Sequence, residues 1–329
     1  MRRREFMALL GSAAAAVPLA VRAQPAPGRP LVGILSPQPA AGWAPNLVSL
    51  RAGLRELGRV EGGNIWLEIR YADGDLARLP ALAAELVARK PDLIIAGSTP
   101  STLAVHGATR TIPVIMVTLV DPVALGVVKS IARPGGNITG IWTFGGQDAL
   151  IGKRIGLLKE VVPAMSRMAV LVASGDPSDK IAMNLLPAAT RALGVTAKAF
   201  EVRTTADLDA AFAGAARDGM QAVFVNQGPF FFSRRGEIAA LAARFRLPAI
   251  YGYREFAEVG GLMSYGSSLP AAYLQVARLV DKILKGAKPA ELPVEQSDKF
   301  ELVVNNKTAK ALGLKIPESF LLRADEVIE

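Results

Sequence analysis

Apolar and polar positions alternate along this chain in two rhythms. Leu31–Leu35 is a short apolar run, and Ile65, Leu67, Ile69 and Tyr71 share one side of an extended segment, so both stretches predict strands. Between them Leu47, Leu50, Leu54 and Leu57 recur on one face of a helix from Asn46 to Leu57. Asp75 can cap a helix running to Lys90, where Pro91 ends it; Leu93–Ala96 reads as a buried strand, Thr99 or Ser101 as the cap of a helix to Arg110, and Val114–Val117 as the next strand. Pro134-Gly135-Gly136-Asn137 is a turn cluster, Ile138–Phe144 an extended segment, and 145–162 a helix. Later come a strand running back at Leu262–Tyr265, an amphipathic helix at Leu269–Leu284, a strand at Phe300–Val304 and a short helix at Lys307–Leu312. Strands alternating with helices predict parallel sheets covered on both faces.

The pattern is written twice. Ile-Pro-Val-Ile-Met at 112–116 answers Leu-Pro-Ala-Ile-Tyr at 247–251, and each follows the same series of elements. Leu31–Leu35 matches Met168–Val172, Leu57-Gly58 matches Leu193-Gly194, Asp75-Leu76 matches Asp207-Leu208, and the loop Gly97–Pro100 matches Asn226–Pro229. The offset, about 135 residues, is far too long for a solenoid repeat. It predicts two similar Rossmann-like α/β lobes, with equivalent loops facing a shared cleft. The chain is expected to cross between lobes near 140–146, 263–268 and 295–299, which restricts motion to a hinge. The expected division is 30–142 with 268–295 in lobe 1, and 143–267 with 296–329 in lobe 2.

The first 23 residues stand apart from this rhythm. Arg2-Arg3-Arg4 precede an apolar stretch from Met7 to Ala20, and Val21-Arg22-Ala23 suits cleavage near Ala23, so residues 1–23 read as a secretory signal peptide. Arg3-Arg4-Glu5-Phe6-Met7 is also similar to the twin-arginine pattern, with Arg2 where Ser or Thr is usual, so both export routes stay open. The net charge of +9 owes three charges to this segment, four arginines against one glutamate. The remaining +6 is scattered, without a basic stripe interleaved with aromatics, which argues against a nucleic-acid partner. Cysteine is absent, which excludes disulfides, thiolate metal ligands and cysteine nucleophiles.

Ligands of parallel α/β sheets sit beyond the carboxyl ends of the strands. The loops in that position are Ser36-Pro37-Gln38, Gly97–Pro100, Thr118–Pro122, Asn226–Phe232 and Tyr251–Glu255. Gly97 allows close backbone approach, Ser98 and Thr99 offer hydroxyls, and the following helix presents its positive end, an arrangement that suits a carboxylate. The same residues can serve as a plain helix cap. Asp121 can pair with a ligand ammonium or cap residues 122–128. The candidate ligand-binding residues are Ser36, Ser98, Thr99, Asp121, Trp142, Asn226, Gln227, Tyr251, Glu255 and Tyr265. Trp43, Trp142, Phe230–Phe232, Tyr251, Tyr253 and Tyr265 gather near the same edges, lining the cleft or packing beneath it.

Enzyme signatures are poor. His106 is the one histidine and falls inside a predicted helix. Residues 33–39, Gly-Ile-Leu-Ser-Pro-Gln-Pro, are no dinucleotide fingerprint, because the prolines remove donors a phosphate cradle needs. No nucleophile elbow occurs, and no cofactor or metal is expected.

Val32–Pro37, Asp121-Pro122-Val123, Arg133–Gly140, Gly260–Gly266, Leu284–Pro289 and Ala311–Leu314 together resemble the ABC transporter substrate-binding proteins of the type I periplasmic binding fold, in the group that includes tryptophan- and other aromatic amino acid-binding members. The resemblance spans residues 30–329. It implies a monomeric periplasmic receptor that closes on a small molecule, amino acid-like or an aromatic acid, and docks on permease and ATPase subunits at the membrane. In such relatives the loop matching 97–100 holds the carboxylate and the acid matching Asp121 can hold the ammonium. A sensory subunit presenting its ligand to a membrane receptor shares the fold and is the alternative; an exported α/β enzyme ranks third.

Overall fold

The computed structural model describes residues 28–143, 147–297 and 299–329. The expected signal peptide and its cleavage point near Ala23 lie outside the described residues.

The chain builds two sheets. The first copy contributes β1 (Leu31–Ser36), α1 (Ala40–Glu56), β2 (Trp66–Tyr71), α2 (Leu79–Ala88), β3 (Leu93–Ala96), α3 (Thr99–Ala108), β4 (Val114–Thr118) and β5 (Ile138–Trp142). The second contributes α4 (Gln147–Val161), β6 (Arg167–Ala173), α5 (Pro177–Ala192), β7 (Thr196–Val202), α6 (Asp207–Arg217), β8 (Ala222–Val225), α7 (Pro229–Ser233), α8 (Arg235–Arg244), β9 (Ala249–Tyr251), α9 (Arg254–Glu258) and β10 (Met263–Ser267). The chain then adds α10 (Leu269–Leu284), β11 (Glu295–Gln296), β12 (Phe300–Asn305), α11 (Asn306–Leu312), α12 (Glu318–Leu321) and β13 (Glu326–Ile328). The strand orders are β11-β5-β4-β3-β1-β2 and β13-β12-β10-β9-β8-β6-β7. The duplicated sequence thus becomes a duplicated topology, since β2-β1-β3-β4-β5 and β7-β6-β8-β9-β10 are the same path.

Period-two alternation along buried strands explains the layers. In the first sheet Ile95 and Ile115 face Trp43, Leu50 and Leu54 of α1 and Tyr273, Val276 and Val280 of α10. Their neighbours Ile94, Val114 and Met116 face Leu79, Leu82 and Leu86 of α2 and Val105 of α3. In the second sheet Leu171, Val223 and Val225 pack on Phe212 and Ile238, while Met168, Val170 and Phe224 pack on Ile155, Leu158 and Leu186. Each such fully buried side chain contributes roughly 1.5–3 kcal/mol.

After β10 the chain returns to the first lobe: α10 packs along α1, and Gly53 permits the approach, because a Cβ there would lie 2.8 Å from that of Ala277. β11 then joins β5 before β12 rejoins the second sheet. The connecting strands lie side by side, Ser297 N–H donating to the Trp142 carbonyl (3.2 Å) and Ser268 N–H to that of Lys299 (3.0 Å).

Several elements differ from expectation. α1 begins at Ala40 and runs through Pro45, whose missing N–H leaves the carbonyl of Ala41 without its intrahelical donor yet does not stop the helix. Asp75 caps a 3₁₀ turn, Leu76–Arg78, because Pro80 favours a fresh helix start at Leu79. Residues 122–126 form consecutive turns instead of a helix, closing at Gly126 with φ +71°. β10 runs parallel to β9; the strand that reverses is β12, so the second sheet is parallel only in its main part.

Gly140 on β5 has φ +151°, and a Cβ there would sit 2.1 Å from the Met116 carbonyl oxygen of the paired strand β4. Backbone blocks the position, so Gly140→Ala is expected to remove about 3 kcal/mol or more of stability. A urea unfolding midpoint unchanged from the parent would refute this account of the β4–β5 pairing.

Candidate functional site

In a strand order of this kind the connections after the first and third strands leave in opposite directions, and a crevice opens between them. In the first lobe this switch point lies between β1 and β3, and in the second between β6 and β8. The two crevices face each other across a cavity of about 420 Å³, counting the part open to solvent. Pro37, Gln38, Asn46, Gly97, Ser98, Val117 and Leu119 line it from the first lobe, with Leu269 and Tyr273 of α10. Gly228, Pro229, Phe232 and Tyr253 line it from the second.

Local turn chemistry sets the first-lobe wall. Ser36 Oγ accepts from Gln38 N–H (3.1 Å) and donates to the Gln38 carbonyl (3.2 Å), which holds Gln38 at the cavity. Ser98 caps α3, its Oγ accepting from Ser101 N–H (3.1 Å). Thr99 Oγ1 bonds Thr118 Oγ1 (2.9 Å) and accepts from Leu119 N–H (3.2 Å), tying the loop after β4 to α3. Trp43 Nε1 donates to the Tyr273 hydroxyl (3.2 Å) with the rings edge to face at 5.3 Å. Gly97 makes room for that hydroxyl, since a Cβ there would lie 3.0 Å from it. Burial pushes the Tyr273 phenol well above its ordinary range, so it is a neutral hydroxyl at any ordinary pH.

The second-lobe wall rests on buried ionic groups. Arg154 of α4 is buried, donating from Nε to the Tyr265 carbonyl (2.6 Å) and from Nη2 to Gln227 Oε1 (2.6 Å). Gln227 Nε2 in turn donates to the Gly252 carbonyl (2.9 Å). Gly252 and Gly266 are required here: a Cβ on the first would fall 2.0 Å from Gln227 Cγ, and on the second 2.0 Å from the Gly252 carbonyl oxygen. Burial lowers the Arg154 pKa to about 9, which leaves it a cation at neutral pH. Asp176 and Asp179 lie at the start of α5, just after β6. Asp176 Oδ1 accepts from Ser178 N–H (2.9 Å), while Oδ2 is buried without a hydrogen-bond partner among the described residues. Asp179 accepts from Ala173 N–H and from the Asn226 amide. Burial, then the charge of Asp176, pushes Asp179 up to about 7; burial also raises Asp176, against the hydrogen bonds from Ser178.

Of the ten residues expected to bind ligand, Ser98 lines this cavity. Ser36, Thr99, Asn226 and Gln227 stand behind it as hydrogen-bonded supports. Trp142 donates from Nε1 to the Leu119 carbonyl (3.2 Å), and Tyr265 stacks on Phe300. Asp121 caps the turn that follows it, its Oδ1 accepting from Val123 N–H (2.8 Å). Tyr251 is fully buried, stacked on Phe256 at 4.5 Å, and Glu255 is buried in the first turn of α9 with its pKa raised by burial. These last three are placed outside the cavity. Gln38, Asn46, Phe232, Tyr253, Tyr273 and Asp176 are the residues that the sequence reading did not select. Asn46 and Tyr273 occupy helical positions, where spacing alone cannot separate a core-facing from a cleft-facing side chain.

A wider recess, about 1210 Å³ and open to solvent, lies at the rim. Asp73, Gly74 and Asp75 bound it on the first lobe, and Ser174, Arg203, Thr205 and Arg234 on the second. The lobes touch here: Gly74 has φ +85°, and a Cβ on it would lie 3.0 Å from Ser233 Oγ.

Comparison with known proteins gives a concordant picture. Residues 46–328 match the family described as ABC transporter substrate binding protein. A tyrosine-binding protein of Clostridioides difficile (strain R20291) is 26% identical over 262 residues, 80% of this chain and 74% of the relative. A conserved domain protein from Vibrio cholerae O1 biovar El Tor has a solved structure that superposes with a TM-score of 0.85 at 25% identity, covering 91% of this chain and all of that one. An ABC domain from Streptococcus pneumoniae, solved in complex with L-Trp, superposes with a TM-score of 0.83 at 25% identity, covering 92% of this chain and 100% of that one.

Asp179 gives the site a pH signature. The folded protein holds the Asp179 proton up to about pH 7, whereas the free side chain loses it near 3.8. The stabilising contribution is therefore complete below about pH 4 and lost as pH rises through 7. Thermal unfolding of the ligand-free protein between pH 4 and 8 is expected to show a falling midpoint, with the decline shallower in Asp179→Asn. Parallel curves for the two proteins would exclude Asp179 as the source.

Proposed function

The chain belongs to the ABC transporter substrate-binding protein family, and from that membership we propose that it is an exported receptor for an amino acid with an aromatic side chain. It captures this ligand between its lobes in the periplasm and delivers it, unaltered, to membrane permease and ATPase subunits. The observation that carries the reading is the lining of the inter-lobe cavity. Phe232, Tyr253, Tyr273 and Leu119 supply apolar and aromatic surface, while Gln38, Asn46 and Ser98 supply polar groups. A few convergent polar groups in a mainly apolar pocket are what orient a small ligand. The tyrosine-binding relative and the L-Trp complex of a second relative support the same ligand class.

Two of the polar groups are unsatisfied among the described residues. Gln38 Oε1 and Asn46 Oδ1 are buried there with no hydrogen-bond partner. A buried amide left unpaired costs roughly 1–3 kcal/mol, so its retention at a cavity points to a partner that arrives from outside. The aromatic body would rest against Phe232 and Tyr253, and the carboxylate would lie toward Gly97 and Ser98 at the start of α3. The described residues that line the cavity include no nucleophile–base pair, which favours binding over catalysis.

Titration with L-tryptophan and L-tyrosine is expected to raise the unfolding midpoint, by a stabilisation of about 2.7 kcal/mol when free ligand reaches a hundredfold excess over Kd. No shift with any aromatic amino acid would sink the proposed ligand class. Asn46→Ala separates binding from folding. It should weaken L-tryptophan binding by roughly 1–2 kcal/mol, while leaving the ligand-free protein as stable as the parent or more so, because an unpaired buried amide is removed. Calorimetric titration alongside thermal unfolding reads both effects, and equal affinity in the variant would take Asn46 out of the site.

A further inference from the structure

Resting on the receptor reading above, we propose that Asp176, in the loop after β6, anchors a protonated amine of the ligand and makes the site selective for amine-bearing molecules. The position is dictated by topology. Gln38 follows β1 at the first switch point, and Asp176 follows β6 at the second, so the two occupy equivalent loops, Gln38 lining the cavity and Asp176 lying behind the cavity-lining Gly228.

Asp176 is 4% exposed. Its Oδ1 is spent on capping α5, and its Oδ2 has no hydrogen-bond partner among the described residues although no solvent reaches it. A carboxylate oxygen only accepts, and a buried carboxylate calls for a cation or several donors. Arg154 directs two of its nitrogens to the Tyr265 carbonyl and to Gln227. Asp179 takes the Asn226 amide and Ala173 N–H. Those donors are thus committed elsewhere.

Asp176 lies directly behind the cavity wall. Gly228 lines the cavity, and the point where its Cβ would stand is 2.8 Å from Asp176 Oδ2. Apart from residue 228 and its chain neighbours, Asp176 supplies the described atoms near that point, so the bare Gly228 backbone separates the carboxylate from the cavity, and a side chain there would obstruct the approach of an ammonium. A glycine at 228 is needed for space alone, since its φ of −179° is open to any residue. Asp121 lacks these properties: it is partly exposed and already caps Val123.

The test compares the parent protein with Asp176→Asn, Gly228→Ala and Asp121→Asn. The probes are L-tryptophan, L-tyrosine and their amine-free analogues, indole-3-propionate and 3-(4-hydroxyphenyl)propionate. Asparagine can still cap α5 through its carbonyl oxygen, and circular dichroism checks that each variant is folded. The parent should bind the amino acids at least tenfold more tightly than the analogues. Asp176→Asn should collapse that preference to within about threefold by weakening the amino acids alone, Gly228→Ala should weaken them by crowding the Asp176 carboxylate, and Asp121→Asn should change neither. An undiminished preference in folded Asp176→Asn, or a parent that binds analogues as well as amino acids, overturns the inference and leaves the receptor reading standing. A parent that binds none of the four probes overturns both.

Discussion

Each sheet reverses its strand order beside its first strand, and everything at the cleft depends on that reversal. Loops on either side of a switch point diverge, so backbone and side chains there are left without neighbours from their own lobe. Because the topology is repeated, the second lobe supplies the missing neighbours. Pro37, Gln38 and Ser98 meet Gly228, Pro229 and Tyr253 across a space that neither lobe could enclose alone. α10 reinforces the arrangement, because it packs with the first lobe although it follows the last strand of the second copy, and it brings Tyr273 to the cavity floor.

The same duplication decides what could be read from the sequence. The element rhythm is legible because strands buried on both faces are short apolar runs and the helices between them carry one apolar stripe, as Leu50 and Leu54 do on α1. The start of α1 is not, because Pro45 resembles a boundary from outside and is tolerated within. Residues 122–128 carry a cap and a proline suited to a helix, yet Gly126 takes a left-handed conformation and closes a turn. At the site, Ser98 is legible as the polar head of a loop after a strand. Asp176 is hidden because Asp-Pro-Ser ahead of a helical stretch is also the commonest sort of helix start. The signal that would have exposed it is the repeat: once Ser36–Gln38 is selected after the first strand of one copy, the loop after the first strand of the other, Ser174–Asp176, carries the same claim.

The second lobe buries a guanidinium, Arg154, and two carboxylates, Asp176 and Asp179. Arg154 is held by a carbonyl and an amide, Gly252 leaving room for the Gln227 side chain it bonds and Gly266 for the Gly252 carbonyl. Such a group organises structure more than it stabilises, since desolvation offsets much of what its hydrogen bonds contribute. Through Gln227 it fixes the Gly252 carbonyl and so the course of the loop leading to Tyr253, which lines the cavity. Burial raises both carboxylates, and their mutual repulsion adds to the rise at Asp179.

Closure and occupancy follow from one consideration. Gln38 Oε1, Asn46 Oδ1 and Asp176 Oδ2 lie on both lobes, and all three are dry and unpartnered among the described residues when the lobes meet. In a parted arrangement water can reach them; in a closed, empty one each costs roughly 1–3 kcal/mol or more. That cost of several kcal/mol falls on the empty closed state alone. A ligand that donates to these acceptors removes the penalty and so selects the closed arrangement from those the connecting strands allow. On the proposed role of Asp176, specificity and closure become one property: a molecule that leaves its carboxylate unsatisfied would be bound weakly and would also fail to hold the lobes together.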